Sequence, residues 1–100
     1  MAQTEITLVC WRDIPAQVIV GKGRKAAKQV LSERFEQAID RAAMKVGASD
    51  TDAYLAEWRK VSLPPAEGAP SDIAAGEIAR LEAEYDQARL KALIANDGWA

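Results

Sequence analysis

Residues 6–46 read ITLVCWRDIPAQVIVGKGRKAAKQVLSERFEQAIDRAAMKV, a stretch typical of short strands followed by one amphipathic helix. Residues 5–11 are rich in β-branched and aromatic side chains on both parities, which is typical of a central strand or one covered on both faces. Pro15 interrupts the run because it lacks a backbone N–H donor, and residues 17–20 (QVIV) resume it. The two runs predict an antiparallel hairpin.

The second half of the stretch predicts an amphipathic helix. Its apolar residues fall at positions 31, 35, 38, 39, 42 and 46, which form one stripe at helical spacing. Ser32 is the predicted N-cap and Gly47 the predicted C-terminal stop. Residues 26–31 (AAKQVL) fit either a third strand or the first turns of this helix, and Ser32 favours the strand. The polar flanks separate by sign, as on a solvated helix, with Arg34, Arg41 and Lys45 on one side and Glu33, Glu36 and Asp40 on the other.

The remaining residues predict further helices and one more strand. Ser49 can cap a second short helix, and residues 59–63 fit a brief edge strand. Residues 64–71 (PPAEGAPS) form a Pro/Gly connector. A single long helix then runs from residue 72 to about residue 96. Its stripe is close to an a/d seam and comprises Ala74, Ile78, Leu81, Tyr85, Ala88 and Ala92.

This order of elements predicts a two-layer α+β fold. A small antiparallel sheet of two to four strands carries helices packed on one face, and a long C-terminal helix completes or extends the core. One hundred residues are enough for a single domain. We divide the chain into an α+β domain at residues 1–63, the connector at 64–71, and a C-terminal helix at 72–100 packed on the same domain.

Composition argues against several functions. The net charge of -2, from 13 basic and 15 acidic residues, argues against general electrostatic binding of nucleic acid. The chain has no histidine, so it lacks the usual general base at neutral pH and the commonest metal ligand. Cys10 is the only cysteine, which excludes an intrachain disulfide and a thiolate-rich zinc site. We therefore predict no catalytic residues, no metal and no cofactor, and an enzyme is the less favoured interpretation.

The N-terminal residues bear on location. The sequence MAQTEITLVCW has no basic n-region and only a short apolar run. It predicts neither a secretory signal nor a membrane span, so the expected location is the cytoplasm.

Two stretches are candidate ligand sites. Residues 21–25 (GKGRK) combine glycines, which let the backbone approach a phosphate, with cationic side chains. Residues 11–13 place an aromatic ring, a cation and a carboxylate at one corner. The alternatives are a flexible hairpin turn at the first stretch and a capped structural corner at the second. The candidate ligand-binding residues are Trp11, Arg12, Asp13, Lys22, Gly23 and Arg24.

The end of the chain is a candidate interface with another protein. Leu90, Leu93 and Ile94 make the last helical turns apolar almost all round, so these turns are either buried in the core or covered by another chain. Trp99 would add an exposed indole. The predicted partner contacts are Leu90, Leu93, Ile94 and Trp99, together with the edge of the hairpin.

Three segments carry a resemblance to a known family. They are WRDIPAQV at residues 11–18, RFEQAIDRAAM at residues 34–44 and YLAEW at residues 54–58. Together they resemble the bacterial virulence factor domain family, which includes the C-terminal domain of conserved virulence factor C-like proteins and small stand-alone forms. The resemblance covers about residues 6–60 and leaves the long C-terminal helix outside.

The resemblance implies little chemistry. The family looks like a module appended to larger bacterial proteins, and its stand-alone forms look associated with genes of one-carbon, folate and corrinoid metabolism. It supplies no set of catalytic residues. We therefore expect a non-enzymatic accessory protein that binds another protein or a second copy of itself. The alternative is a small-ligand module for a phosphate- or carboxylate-bearing metabolite at the corner and turn named above.

Overall fold

Four strands form one antiparallel sheet in the computed structural model, which describes residues 3–48 and 51–100. The elements in chain order are β1 Thr4–Trp11, β2 Ile14–Val20, β3 Ala27–Val30, α1 Glu33–Lys45, α2 Thr51–Ala56, β4 Trp58–Ala66, α3 Pro70–Glu84 and α4 Gln87–Ala95. The sheet order is β3-β2-β1-β4. This arrangement confirms the α+β class, the hairpin, and the strand interpretation of residues 26–31.

The two faces of the sheet differ in burial. Leu8 pairs with Val18 and with Val61, so these side chains share one face, and that face lies against α3 and α1. Its core residues are buried, which agrees with apolar side chains being most stable away from water. The opposite face, called the open face below, is half-exposed or exposed and carries Thr7, Val9, Gln17, Ile19, Lys28, Val30, Lys60 and Ser62.

Helix α1 has the predicted bounds, but the side chain of its N-cap residue makes a different hydrogen bond from the one predicted. Ser32 occupies the N-cap position and makes no side-chain capping bond. Its Oγ donates instead to Glu82 Oε1 at 2.8 Å, and its backbone N–H donates to the other carboxylate oxygen at 2.7 Å. Gly47 follows the helix with φ 71°, the left-handed conformation that glycine adopts readily. The predicted cap of α2, Ser49, lies outside the described residues.

Strand β4 is longer than predicted and includes the two prolines assigned to the connector. The register changes by one residue between Thr4 and Ile6, so Pro64 and Pro65 lie at a bulge. β4 is an edge strand that pairs only with β1. A proline at a bulge or on an edge strand removes no essential ladder bond, because the strand has no second neighbour. The strand therefore continues to Ala66.

The prediction of one long C-terminal helix from residue 72 to about residue 96 is wrong, because two helices occupy this range. Helix α3 ends at Glu84, and Asp86 caps α4 by accepting a hydrogen bond from the Arg89 N–H at 2.8 Å. The Tyr85 carbonyl at the break accepts from the Arg34 guanidinium. The predicted a/d stripe does not continue past this break, since Ala74 and Leu81 are buried whereas Ala88 and Ala92 are exposed.

Candidate functional site

The Trp11-Arg12-Asp13 corner ties the C-terminus to the hairpin. Arg12 Nη1 donates to the Asp97 carbonyl at 2.6 Å, and the guanidinium lies 5.1 Å from the Trp11 ring centroid and 5.2 Å from that of Trp99. Asp13 accepts hydrogen bonds from Arg59 and from the Ala100 N–H. These hydrogen bonds are all made within the chain itself, which favours the structural alternative for this corner.

The basic turn at residues 21–25 is also held by its neighbours. The Gly21 N–H donates to the Glu5 carbonyl at 2.8 Å, and Lys22 pairs with the Glu5 carboxylate at 3.2 Å. Gly23–Lys25 form a single 3₁₀ turn with exposed side chains. The fold does not bring this turn to the corner at Arg12. The two lie at opposite ends of the hairpin, on the order of 20 Å apart at the rise of an extended strand, so no small metabolite touches both.

The predicted partner contacts divide between the core and the surface. Leu90 and Leu93 are 4% and 5% exposed and belong to the core, so they are not available to another chain. Ile94 is half-buried. Trp99 is 41% exposed, and its ring lies beside Arg12. Of the alternatives left open for the last helical turns, burial inside this chain is the one observed for the two leucines.

A groove at one end of the open face is the strongest candidate site. It has a volume of about 620 Å³, within the roughly 300–1,000 Å³ of typical ligand clefts. Its position follows from strand register, because Val9, Gln17 and Val30 are cross-strand neighbours on the open face. Helix α2 and the first residue of β4 close one side. We call it the aromatic groove, and its apolar lining includes Val9, Val30, Leu31, Ile39, Tyr54 and Trp58.

Two aromatic rings form the end wall of the groove. Tyr54 and Trp58 pack edge to face with their centroids 5.8 Å apart, and Tyr54 also stacks on buried Trp11 at 6.1 Å. The Trp11 Nε1–H donates to the Tyr54 carbonyl at 2.9 Å. Such pairs hold the rings in fixed orientations, so the wall is in place before anything binds.

Carboxylates line the side of the groove that α1 supplies. Glu33, Glu36 and Asp40 are spaced by three and four residues and therefore lie on one face of the helix. The pKa of the Tyr54 phenol is raised, first by burial and then by the charges of Asp40 and Glu36, while a hydrogen bond with Trp58 opposes the rise. The same charges that disfavour a phenolate would favour a bound cation.

A smaller hollow extends this surface along α1. It has a volume of about 340 Å³, shares Tyr54 with the aromatic groove, and is also lined by Asp40, Ala43 and Met44. Met44 is 72% exposed and Val30, at the other end, is 73% exposed. Apolar side chains at this exposure lose water favourably when another surface covers them.

Cys10 is the one thiol, and its surroundings suppress its reactivity. The side chain is buried. Its pKa is raised to about 11, mainly by burial, while Arg59 partly opposes the rise and Asp13 adds to it. The thiol is therefore protonated at neutral pH, and a thiol reacts far more slowly than a thiolate.

Two features are absent from residues 3–48 and 51–100 of the chain. In that part of the chain, no three His, Cys, Asp or Glu side chains are grouped so as to hold a metal ion. None of its helices has the length and apolar character needed to cross a membrane.

The aromatic groove is not predicted by the sequence. In the sequence, Tyr54 and Trp58 stand out only as part of the YLAEW segment, and Val30 lies in the segment that fits either a strand or a helix. The floor residues Val9, Gln17 and Val30 become neighbours only through the strand register. The sequence indicates the acidic side of α1, but it does not indicate that Tyr54 and Trp58 lie beside that side.

The chain was compared with known proteins at three levels. No curated protein and no solved structure matches it. A protein-family model described as "Virulence factor" matches residues 9–94. This range corrects the narrower resemblance over residues 6–60, because it includes β4, α3 and nearly all of α4, whose side chains share one core with the sheet. Since the match covers most of the chain, the protein belongs to the virulence factor family.

Proposed function

We propose that this protein is a non-enzymatic interaction domain whose aromatic groove binds a segment of a partner protein. The observation that carries the proposal is an apolar groove, walled by Tyr54 and Trp58, beside the acidic face of α1. Aromatic side chains held in place at a concave surface are the usual anchors of protein interfaces.

The chemistry of the groove specifies the partner segment. Its apolar lining favours a bulky aliphatic or aromatic side chain, and the carboxylates of Glu33 and Glu36 favour Lys or Arg on either side of it. The partner segment is therefore apolar at its centre and basic at its flanks. A protein segment suits the site better than a small metabolite, because the hollow at Met44 continues the apolar surface beyond one ligand-sized cleft.

The proposal is tested with two synthetic peptides of identical apolar centre, one flanked by lysines and the other by glutamates. In NMR titrations of the labelled protein, we expect the lysine-flanked peptide to shift amide signals around the groove. The glutamate-flanked peptide should bind at least about tenfold more weakly, which corresponds to about 1.4 kcal/mol. Added salt should weaken the binding of the lysine-flanked peptide, because interactions between exposed charges are screened. Equal binding of both peptides, or shifts elsewhere, would contradict the proposal.

Matched variants locate the site. Val30→Asp places a charge in the groove and should abolish binding, whereas Leu55→Asp changes an exposed apolar residue outside the groove lining and should not. The pair Glu33→Lys and Glu36→Lys should reverse the preference between the peptides. Glu67→Lys with Asp72→Lys makes the same change of charge at exposed positions away from the groove and should leave the preference unchanged.

The role of an accessory subunit in the cytoplasm extends this proposal. The partner is expected among proteins of one-carbon metabolism, as the resemblance of the stand-alone forms implies. Co-purification of the intact protein with folate- or corrinoid-dependent enzymes, lost on Val30→Asp and kept on Leu55→Asp, is the measurement that links groove and pathway.

A further inference from the structure

A second cleft lies on the opposite side of α1, between α1 and α4. It has a volume of about 250 Å³. Its floor is apolar and consists of Ala38, Leu90 and Ile94, while its polar lining consists of Arg34, Gln37, Arg41, Gln87 and Lys91. The lining therefore combines three cations with two amides and includes no carboxylate.

The two helices run parallel, and polar contacts hold both ends of the pair. At one end Arg34 donates to the carbonyls of Tyr85 and Glu82, just before α4 begins. At the other end Lys45 pairs with Asp97, just after α4 finishes. The spacing of the helices at the cleft is thus fixed by the chain itself.

The middle of the pair is different, because its cations are unpaired. Arg34 is neutralised by the carboxylate of Glu82 at 2.9 Å. Arg41 and Lys91 make no side-chain hydrogen bond or ion pair within residues 3–48 and 51–100. Two like charges across a cleft repel each other, and an anion between them relieves this repulsion.

The carboxylates near the cleft are already engaged. Glu82 accepts from Ser32 and Arg34, and its pKa lies below its ordinary value because those hydrogen bonds outweigh the effect of burial. Asp86 accepts the Arg89 N–H as the cap of α4. Gln87 is the first residue of α4, and the Asp86 carboxylate already offsets part of the positive end of that helix dipole.

We propose that the cleft between α1 and α4 binds the phosphate group of a small phosphorylated metabolite, with Arg41 and Lys91 as its cationic ligands and Gln37 and Gln87 as further donors. A phosphate monoester carries roughly -1.5 to -2 at neutral pH, which matches the two unpaired cations. A carboxylate or a phosphodiester carries a single charge and leaves part of the repulsion in place. This site lies on the other side of α1 from the aromatic groove, and Gln37 Nε2 donates to the groove carboxylate of Glu33 at 3.5 Å.

The test is an NMR titration of the full chain with inorganic phosphate and with glycerol 1-phosphate, each against chloride at equal ionic strength. Saturable shifts confined to the facing turns of α1 and α4 are expected, including the side-chain amides of Gln37 and Gln87. Absence of saturable shifts, or shifts centred on the basic turn at residues 21–25, would overturn the proposal. A phosphodiester, dimethyl phosphate, serves as the singly charged probe and should bind more weakly. Equal binding of the diester would contradict the proposal that the cleft recognises the double charge of a phosphate monoester.

Two double variants separate the site from general charge. Arg41→Gln with Lys91→Gln should weaken phosphate binding at least about tenfold. Arg24→Gln with Lys28→Gln removes the same charge from exposed positions and should leave the affinity unchanged. An equal loss of affinity in both double variants would assign the effect to net charge and contradict the proposal.

Without phosphate, the Arg41→Gln, Lys91→Gln variant should melt at a higher temperature than the wild type, because the repulsion between the two cations is gone. Gln37→Glu, which adds a carboxylate to an otherwise unchanged cleft, should also abolish binding, and retained binding would contradict the assignment.

Discussion

Gly98 is the residue at which the C-terminal end of the chain closes on the hairpin. Its φ is +90°, and a Cβ there would lie 3.2 Å from Trp11 Cζ3 and 3.2 Å from Arg12 Cδ. Its carbonyl accepts the Asp13 N–H at 2.8 Å. Arg12 itself has φ 52°, an unusual value for a side chain of its size, and its Nε is buried without a partner. The corner thus holds local strain, which the surrounding contacts of Trp11, Trp99 and Asp97 offset.

Gly98→Ala is expected to destabilise the protein by about 1 to 3 kcal/mol, because the new methyl group both strains the backbone and meets Trp11 and Arg12. Urea unfolding measures the change. Gly76→Ala is the matched control, since Gly76 is an exposed residue inside α3 with open space around it. That substitution should instead stabilise by about 0.5 to 1 kcal/mol. A neutral result at Gly98 would mean that the corner opens readily.

Glu82→Ala is expected to destabilise by about 1 to 2 kcal/mol near neutral pH, through loss of the hydrogen bonds from Ser32 and Arg34. The pKa of Glu82 is lowered in the folded state, so its stabilisation is present above the unfolded pKa and is lost as pH falls through the folded pKa. The difference between wild type and variant should therefore shrink below about pH 4.5, the ordinary value. Unfolding curves over a pH series measure it, with Glu67→Ala at an exposed position as the control.

The break between α3 and α4 is the main feature at the scale of elements. It lets the apolar face of the chain change direction, so that Leu81 and Leu90 both reach the core. Arg34 supports the break from α1 by binding the Tyr85 carbonyl, which a continuous helix would have used internally. The same turn of chain sets α4 parallel to α1 and so creates the cleft between them.

Removing the cap of α4 tests this arrangement. Asp86→Ala is expected to destabilise by about 1 kcal/mol, because the Arg89 N–H loses its acceptor. Amide exchange should accelerate in the first turn of α4 more than in α3. Asp72→Ala is the control, since Asp72 lies in the first turn of α3, whose N-cap makes no side-chain bond. Equal effects of the two substitutions would show that helix-dipole charge, rather than the cap, is responsible.

At the scale of the whole molecule, the C-terminal helices and the sheet share one hydrophobic core. Leu81, Leu90 and Leu93 belong to the same buried cluster as Ile6 and Phe35. The C-terminal residues also contact the hairpin through Gly98 and Trp99. We therefore expect residues 3–48 and 51–100 to unfold as one cooperative unit.

Leu90→Ala is expected to lower the unfolding free energy by about 2 to 5 kcal/mol, because it leaves a cavity between α4 and α1. The loss should appear at the same urea midpoint by tryptophan fluorescence, which reports on the sheet and corner, and by circular dichroism, which reports on the helices. Leu55→Ala, at a residue that is 58% exposed, should change stability by less than about 0.5 kcal/mol. Separate midpoints by the two probes would indicate that the C-terminal helices unfold on their own.

Local sequence patterns are sufficient to predict the elements that depend on side-chain period and on special backbone residues. The hairpin, β3, α1 and α2 follow from alternation, from helical spacing and from Pro15, Ser32 and Gly47, all of which act over a few residues. The sequence also excluded histidine chemistry, since a missing side chain is visible without a fold.

How these elements pack together depends on contacts between residues far apart in the chain. The break at Tyr85 depends on Arg34, 51 residues away. The continuation of β4 through Pro64 and Pro65 depends on that strand lying at an edge. The aromatic groove requires the register that brings Val9 beside Gln17 and Val30. These contacts join residues distant in sequence, and their free energy depends on burial and geometry that no local pattern encodes.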